Sequence, residues 1–131
     1  MIIFAWACVG CNSGLPKADS PSYREFVSVF YIGLAALQVG DDVRAESELA
    51  RSTKIAAGEP AGWANWGILR LRQRDFDAAE ERIQKAQRLA PQNGQIYYLL
   101  GLVKTGKGQA AEAIEMCIRD SDNCLPVRLS G

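Results

Sequence analysis

The chain has 131 residues, with 15 basic and 15 acidic side chains and no histidine, so its formal net charge is zero. Nucleic acids and anionic membrane surfaces select an excess of Lys and Arg, so a neutral chain disfavours both as the main partner. Without histidine, the commonest general base and metal ligand is missing. We also find no nucleophile elbow, phosphate-binding loop or metal-ligand spacing. We therefore expect no enzymatic activity and no cofactor or metal.

The first eleven residues, MIIFAWACVGC, form an apolar segment that ends in a cysteine. The segment is too short to span a bilayer, which takes about 20 residues, but it has the length of a signal-peptide core. Cys8-Val9-Gly10-Cys11 resembles a bacterial lipobox, although Cys8 stands where that family prefers leucine. No Lys or Arg precedes the apolar run, as expected if the start codon lies inside a longer signal. A buried first helix capped at Asn12 is the alternative, and a redox role for the two cysteines lacks a strand–helix context.

The lipobox resemblance implies that residues 1–11 are a signal peptide and that Cys11 is the acylated first residue of the mature protein. It places the protein in a bacterial cell envelope, facing the periplasm, in contact with the membrane only through the lipid. Residues 12–22, NSGLPKADSPS, are rich in Pro, Gly and Ser. We predict that they form a flexible tether, because such a composition cannot pack a core.

Small residues recur at intervals of 34 along the next part of the chain. The repeated positions are glycine at Gly33, Gly67 and Gly101, and alanine at Ala45, Ala79 and Ala113. Bulky residues follow the same register at Val29, Trp63 and Tyr97, and again at Ile32, Trp66 and Leu100. Short polar breaks at 40–42, 74–77 and 106–108 divide each unit into two amphipathic stretches. This period is typical of a helical-hairpin repeat.

Over residues 26–115 the pattern resembles the tetratricopeptide repeat, which reads W-x2-L-G-x2-Y followed by A-x3-F. The resemblance implies an all-α fold, a right-handed solenoid of antiparallel helix hairpins with about two and a half to three units over residues 23–115. A glycine inside a helix costs about 1 kcal/mol relative to alanine. We therefore expect the three glycines to let the second helix approach the first, with the three alanines as its small face. Trp63 and Trp66 should fill the space between neighbouring hairpins. An ordinary helical bundle is the alternative.

Residues 116–121, MCIRDS, resemble the translation of a transposase end sequence that is used to tag DNA libraries. Glu115 before them and Ser121 at their end fit the codons that such a tag allows. We predict that residues 116–131 are a non-native chimeric tail on a fragment from metagenomic sequencing, and that the natural protein continues. A native helix with Cys117 and Ile118 on its apolar face remains the alternative.

The repeat resemblance also implies a concave face, built from the first helix of each hairpin. Its residues in this chain are Val27, Phe30, Leu34, Leu37, Ala64, Asn65, Ile68, Leu71, Arg72, Tyr98 and Leu102. The face is short of charge, so we expect it to bind an apolar or amphipathic protein segment, or a downstream domain of the same chain. The clamp that some members use for acidic C-termini is not matched, because only Asn65 agrees with it.

We therefore predict a non-catalytic protein–protein interaction scaffold, lipid-anchored in a bacterial envelope. One alternative is the N-terminal docking module of a larger enzyme or propeller protein. Residues 26–41 and 59–65 are similar to the repeat block of bacterial proteins that end in a β-propeller and an ASPIC/UnbV domain. Another alternative is a pilus or outer-membrane assembly lipoprotein. The clustered acids Glu80, Glu81 and Glu112 are interpreted as a solvated helix face.

Overall fold

The computed structural model describes residues 15–119, with side chains up to residue 115. This part of the chain is all-helical, as predicted. The six helices are α1 (Pro21–Val39), α2 (Asp42–Ile55), α3 (Pro60–Arg72), α4 (Phe76–Leu89), α5 (Gly94–Gly106) and α6 (Ala110–Arg119). The proposed acceptor Cys11 and residues 120–131 lie outside the described residues. Between residues 15 and 119, no helix combines the length and the apolar character needed to cross a membrane.

The helices pack in successive pairs, α1 with α2, α3 with α4 and α5 with α6. Each pair is joined by a short turn, so the two helices run antiparallel. The second helix of one pair packs against the first helix of the next, and α3 also contacts α1 and α5. The result is a stack of three hairpins, as expected for a helical solenoid. Hereafter α1, α3 and α5 are the A helices, and α2, α4 and α6 are the B helices.

The first helix begins earlier than the tether prediction allows. The Oγ of Ser20 accepts a hydrogen bond of 3.0 Å from the Tyr23 N–H, and Pro21 occupies the first turn. A serine N-cap followed by proline is a strong helix start, because the cap satisfies an otherwise unpaired N–H and proline has none to lose. Pro21 and Ser22 therefore belong to α1, and the predicted boundary at residue 22 was wrong by two residues.

The turns within the hairpins repeat at the level of backbone conformation. Gly40, Arg74 and Gly108 are 34 residues apart, and all three have positive φ, of 82°, 62° and 79°. Asp41 and Asp75 follow the first two and cap α2 and α4, each accepting a hydrogen bond from a backbone N–H. The left-handed residue reverses the chain and the aspartate starts the next helix.

Two apolar clusters hold the hairpins together. The first contains Ala36, Leu37, Ala45, Leu49 and Leu69, and Trp66 packs against it. The second contains Ala79, Ile83, Ala86, Ile96, Leu100 and Val103, and Trp63 packs against it. Each cluster draws residues from two consecutive hairpins. The two tryptophans therefore pack where consecutive hairpins meet.

The helices of the first two hairpins approach each other closely at Gly33 and Gly67. A Cβ placed on Gly33 would lie 3.0 Å from Cγ of Leu49, and one on Gly67 would lie 2.4 Å from Cγ1 of Ile83. The partner alanines Ala45 and Ala79 are completely buried, and Ala113 is also buried. No described atom lies within 4 Å of a Cβ on Gly101. The third unit's residue at the Leu49 and Ile83 position is Cys117, outside the described side chains, so the Gly101 prediction stays a prediction.

Candidate functional site

Two adjoining grooves lie between the A helices. The groove between α1 and α3 has a volume of about 270 Å³ and is lined by Leu15, Tyr23, Phe26, Val27, Phe30, Tyr31, Glu59 and Ala61. The groove between α3 and α5 has a volume of about 260 Å³ and is lined by Glu59, Pro60, Ala61, Ala64, Asn65, Ile68, Asn93, Gln95, Ile96 and Leu99. Glu59 and Ala61 line both grooves, so the two adjoin at the start of α3. We call them the A-helix grooves.

The structure brings some of the predicted concave-face residues together in these grooves. Phe30 lines the first groove, and Ala64, Asn65 and Ile68 line the second. Leu34 and Leu71 are half-buried and line neither groove. Tyr98 and Leu102 are exposed on α5. The residues of the predicted face therefore fall into three groups: some line the grooves, some are half-buried outside them, and some are exposed on α5.

Two members of the predicted face serve the fold instead. Leu37 is buried in the first apolar cluster with Leu49 and Leu69, so it offers no surface to a partner. This corrects the prediction for Leu37. Arg72 donates a hydrogen bond to the Leu37 carbonyl and forms an ion pair with Asp42. Its guanidinium therefore joins the second hairpin to the first.

Tyr31 is a groove residue that the sequence interpretation missed. Its side chain is 63% exposed and lies edge-on to Phe30, with ring centroids 5.6 Å apart. Phe30 in turn stacks on Phe26 at 5.6 Å, so three aromatic rings line one wall. The available signal was the repeat register, because Tyr31 is 34 residues before Asn65, which was predicted to face the groove.

The polar groups of the A-helix grooves are few and mostly uncharged. Glu59 is the only acid among the lining residues, and no Lys or Arg is among them. One carboxylate oxygen of Glu59 accepts a hydrogen bond of 3.2 Å from the Ala61 N–H and caps α3. The Asn65 Nδ2 donates to the Ala61 carbonyl at 2.8 Å. This chemistry suits an apolar or amphipathic ligand better than a charged one.

The acidic cluster on α4 and α6 does not behave as one solvated face. The side chain of Glu80 is only 15% exposed and contacts Lys104 at 2.7 Å and Lys107 at 2.5 Å. Hydrogen bonds from the two lysines lower the pKa of Glu80, and the same contacts raise the pKa of Lys104. Glu81 is highly exposed, as expected for a solvated residue. The solvated-face prediction is therefore wrong for Glu80, which links α4 to α5.

The same link recurs one repeat earlier. Glu46 on α2 contacts Arg70 on α3 at 2.5 Å, and both residues are 34 positions before Glu80 and Lys104. These charged residues therefore hold consecutive hairpins together. Among residues 15–115, whose side chains the structure describes, no group of three or more Cys, Asp and Glu is placed to hold a metal ion.

Comparison with known proteins agrees with this architecture. Residues 65–117 match the family model of the tetratricopeptide repeat. The match runs from the middle of α3 into α6, and the 34-residue register extends the same pattern to α1 and α2. A comparison with curated proteins gave no match. Over residues 65–117 the chain is therefore similar to the tetratricopeptide repeat, a family that is generally non-catalytic and typically binds proteins or peptides.

Proposed function

We propose that this protein is a non-catalytic interaction scaffold whose A-helix grooves bind an apolar or amphipathic segment of a partner protein. One observation carries the proposal: the two grooves adjoin at Glu59 and Ala61, are lined largely by apolar and aromatic side chains and contain no basic residue. Desolvating such a surface is favourable, by about 25 cal/mol per Å² of apolar area.

The spacing of the grooves favours a helical ligand. One A-helix groove lies between α3 and α1, and the other lies between α3 and α5. Packed helices lie about 8–10 Å apart, so the two grooves are separated by about one such distance. In an amphipathic helix, side chains at i and i+7 are on the same face and about 10.5 Å apart along the axis. One anchor could therefore enter the Phe30 and Tyr31 groove while the next enters the Ile68 and Leu99 groove.

A pair of matched charge substitutions tests the A-helix grooves. Peptides selected from a library of amphipathic helices on the wild-type protein are titrated against Tyr31→Asp and Val43→Asp. Both side chains are exposed, at 63% and 85%, so both variants should stay folded, but only Tyr31 lines a groove. We expect Tyr31→Asp to weaken binding by about tenfold or more, because the new carboxylate lies against an apolar ligand.

Retained binding by a folded Tyr31→Asp variant would contradict the groove proposal, as would equal losses in both variants. Circular dichroism of each variant establishes that the helices are intact. A selection that yields no wild-type binder would also count against it.

The proposed cellular setting rests on residues 1–11 alone. We infer a lipoprotein anchored through Cys11 in a bacterial envelope, on the strength of the lipobox-like Cys8-Val9-Gly10-Cys11. Mass spectrometry of the protein made from its full reading frame in a bacterium should find an acylated Cys11 at the mature N-terminus, and Cys11→Ser should abolish this. An N-terminus that still carries Met1 would exclude the anchor.

A domain of the same polypeptide is the second candidate for covering the A helices. Tyr98 and Leu102 on α5 are exposed, whereas their equivalents Ala64 and Ile68 on α3 are half-buried beside the next hairpin. In a docking module of a larger enzyme or propeller protein, a further domain would cover these two exposed side chains. The genomic reading frame beyond Glu115 decides it, since a stop directly after that codon would leave no such domain.

A further inference from the structure

A third groove lies on the opposite side of α3, between α2 and α4. It has a volume of about 430 Å³ and is lined by Ala50, Thr53, Lys54, Trp63, Trp66, Glu81, Arg82, Lys85 and Arg88. Trp63 and Trp66 are three residues apart and share one side of α3, whereas Ala64 and Ile68 are on the side of the A-helix grooves. We call this third cavity the B-helix groove.

The B-helix groove concentrates positive charge on a chain whose net charge is zero. Its lining contains Lys54, Arg82, Lys85 and Arg88 but only one acid, Glu81. Glu81 is 3.8 Å from Arg82 and points largely into solvent. Among residues 15–115, whose side chains the structure describes, Lys54 and Arg88 form no ion pair. A cleft lined by charges of one sign raises the local concentration of ligands of the opposite sign.

The tryptophans hold part of this charge in place. The guanidinium carbon of Arg82 lies 4.1 Å from the ring centroid of Trp66, and the Lys85 Nζ lies 5.8 Å from that of Trp63. The two rings stack on each other at 5.9 Å, and the Trp63 Nε1 donates to the Ala57 carbonyl at 2.9 Å. Cations that are already ordered lose less conformational entropy when an anion binds.

We propose that the B-helix groove binds an acidic segment of a partner protein. Arg82, Lys85 and Arg88 recur every three residues and so cover about 9 Å of α4, which matches several successive carboxylates better than a single one. The volume of about 430 Å³ also exceeds what one carboxylate needs. An apolar side chain between the acids fills the remaining space over the tryptophans.

Tryptophan fluorescence tests this directly, because Trp63 and Trp66 line the groove. The probe is acetyl-Glu-Glu-Leu-Glu-Glu-Leu-Glu-amide, which contains no tryptophan, titrated into the whole chain at an ionic strength of about 0.05 M to limit screening. We expect the acidic peptide to bind the wild-type protein saturably. A control peptide with Gln in place of every Glu should not bind.

Two double variants with the same change of charge locate the site. Lys85→Glu with Arg88→Glu should weaken binding by about tenfold or more, whereas Arg24→Glu with Arg44→Glu, both outside the groove, should change it less than about threefold. If the first pair does not fold, Lys54→Gln with Arg88→Gln replaces it, since both of these side chains are exposed.

Three results would overturn the proposal: no binding of the acidic peptide, equal losses in the two double variants, or displacement of the peptide by inorganic phosphate or free glutamate at an equal concentration of charge. The last result would assign the groove to small anions. The A-helix groove proposal is independent, because its test uses Tyr31 and an apolar ligand on the other side of α3.

Discussion

Gly67→Ala probes the closest helix contact in the stack. A Cβ on Gly67 would lie 2.4 Å from Cγ1 and 3.1 Å from Cδ1 of Ile83. Carbon atoms in packed interiors are separated by about 3.5–4.0 Å, so the overlap is about 1 Å. Ile83 is fully buried, and its Cγ1 is attached to a branched Cβ that strongly prefers one rotamer in a helix. The clash must therefore be relieved by moving α4 away from α3.

Two opposing terms set the size of the effect. Alanine in place of glycine in a helix interior stabilises by about 1 kcal/mol, and overpacking a close contact costs about 1–3 kcal/mol. We expect Gly67→Ala to lower the free energy of unfolding by about 1 kcal/mol. Gly33→Ala is the matched control, because its Cβ would lie 3.0 Å from Leu49 Cγ and needs only a small shift. There the two terms should nearly cancel.

Urea unfolding followed by circular dichroism measures both variants. The same Gly67→Ala change is repeated in an Ile83→Ala background, which itself costs about 2–5 kcal/mol. With the Ile83 side chain removed the clash is gone, so Gly67→Ala should now stabilise by about 1 kcal/mol. A change of the same sign in both backgrounds would refute the steric explanation, as would stabilisation of the wild type by Gly67→Ala.

Two further predictions concern the turns and the charged links. Arg74 has a φ of 62°, whereas the other two turns have glycine at this position. Arg74→Gly should therefore raise the free energy of unfolding, measured in urea titrations, by about 0.5–1 kcal/mol. A decrease would show that the Arg74 side chain contributes more to stability than the backbone strain costs. Hydrogen bonds from Lys104 and Lys107 lower the pKa of Glu80 in the folded protein. The ionised Glu80 therefore stabilises the fold fully above the unfolded-state pKa of a glutamate, and this stabilisation is lost as pH falls through the lower folded-state pKa. Glu80→Gln should therefore reduce Tm near neutral pH and flatten its decline towards about pH 3, and unchanged curves would contradict this link.

The repeat positions were predictable because they depend on contacts within one hairpin. Gly33 faces Leu49 and Gly67 faces Ile83, and in both cases the partner is 16 residues further along, on the next helix. A 34-residue period records such contacts directly, since each hairpin repeats the same local packing. The pairing of helices and the position of each turn follow from the same period.

The exposure of the A-helix residues could not be predicted in the same way. Leu37 and Tyr31 are both apolar residues of α1, but Leu37 is buried against Leu69 of the next hairpin while Tyr31 remains open. Which of them is covered depends on how far α3 is rotated against α1. The period marks Tyr31 as the equivalent of Asn65, but it does not give the rotation that buries Leu37 against Leu69, because that contact joins two different hairpins.

The charged links between hairpins were only partly predictable from the sequence. Glu46 with Arg70 and Glu80 with Lys104 show the same separation of 24 residues in the chain. The register therefore contained the signal. It could be interpreted only once α2 was known to pack against α3, because each acid and its partner belong to different hairpins.

The two sides of α3 present different chemistry although they belong to one helix. Trp63 and Trp66 support the cations of the B-helix groove, whereas Ala64 and Ile68 line an A-helix groove that contains no basic residue. A net charge of zero therefore hides a local excess of positive charge on one side of the stack. Association through the cationic side should weaken as salt screens it, with a Debye length of about 8 Å at physiological ionic strength. Association through the apolar side depends on buried area and should respond little to salt. The salt dependence of a partner's affinity thus indicates which side of α3 it occupies.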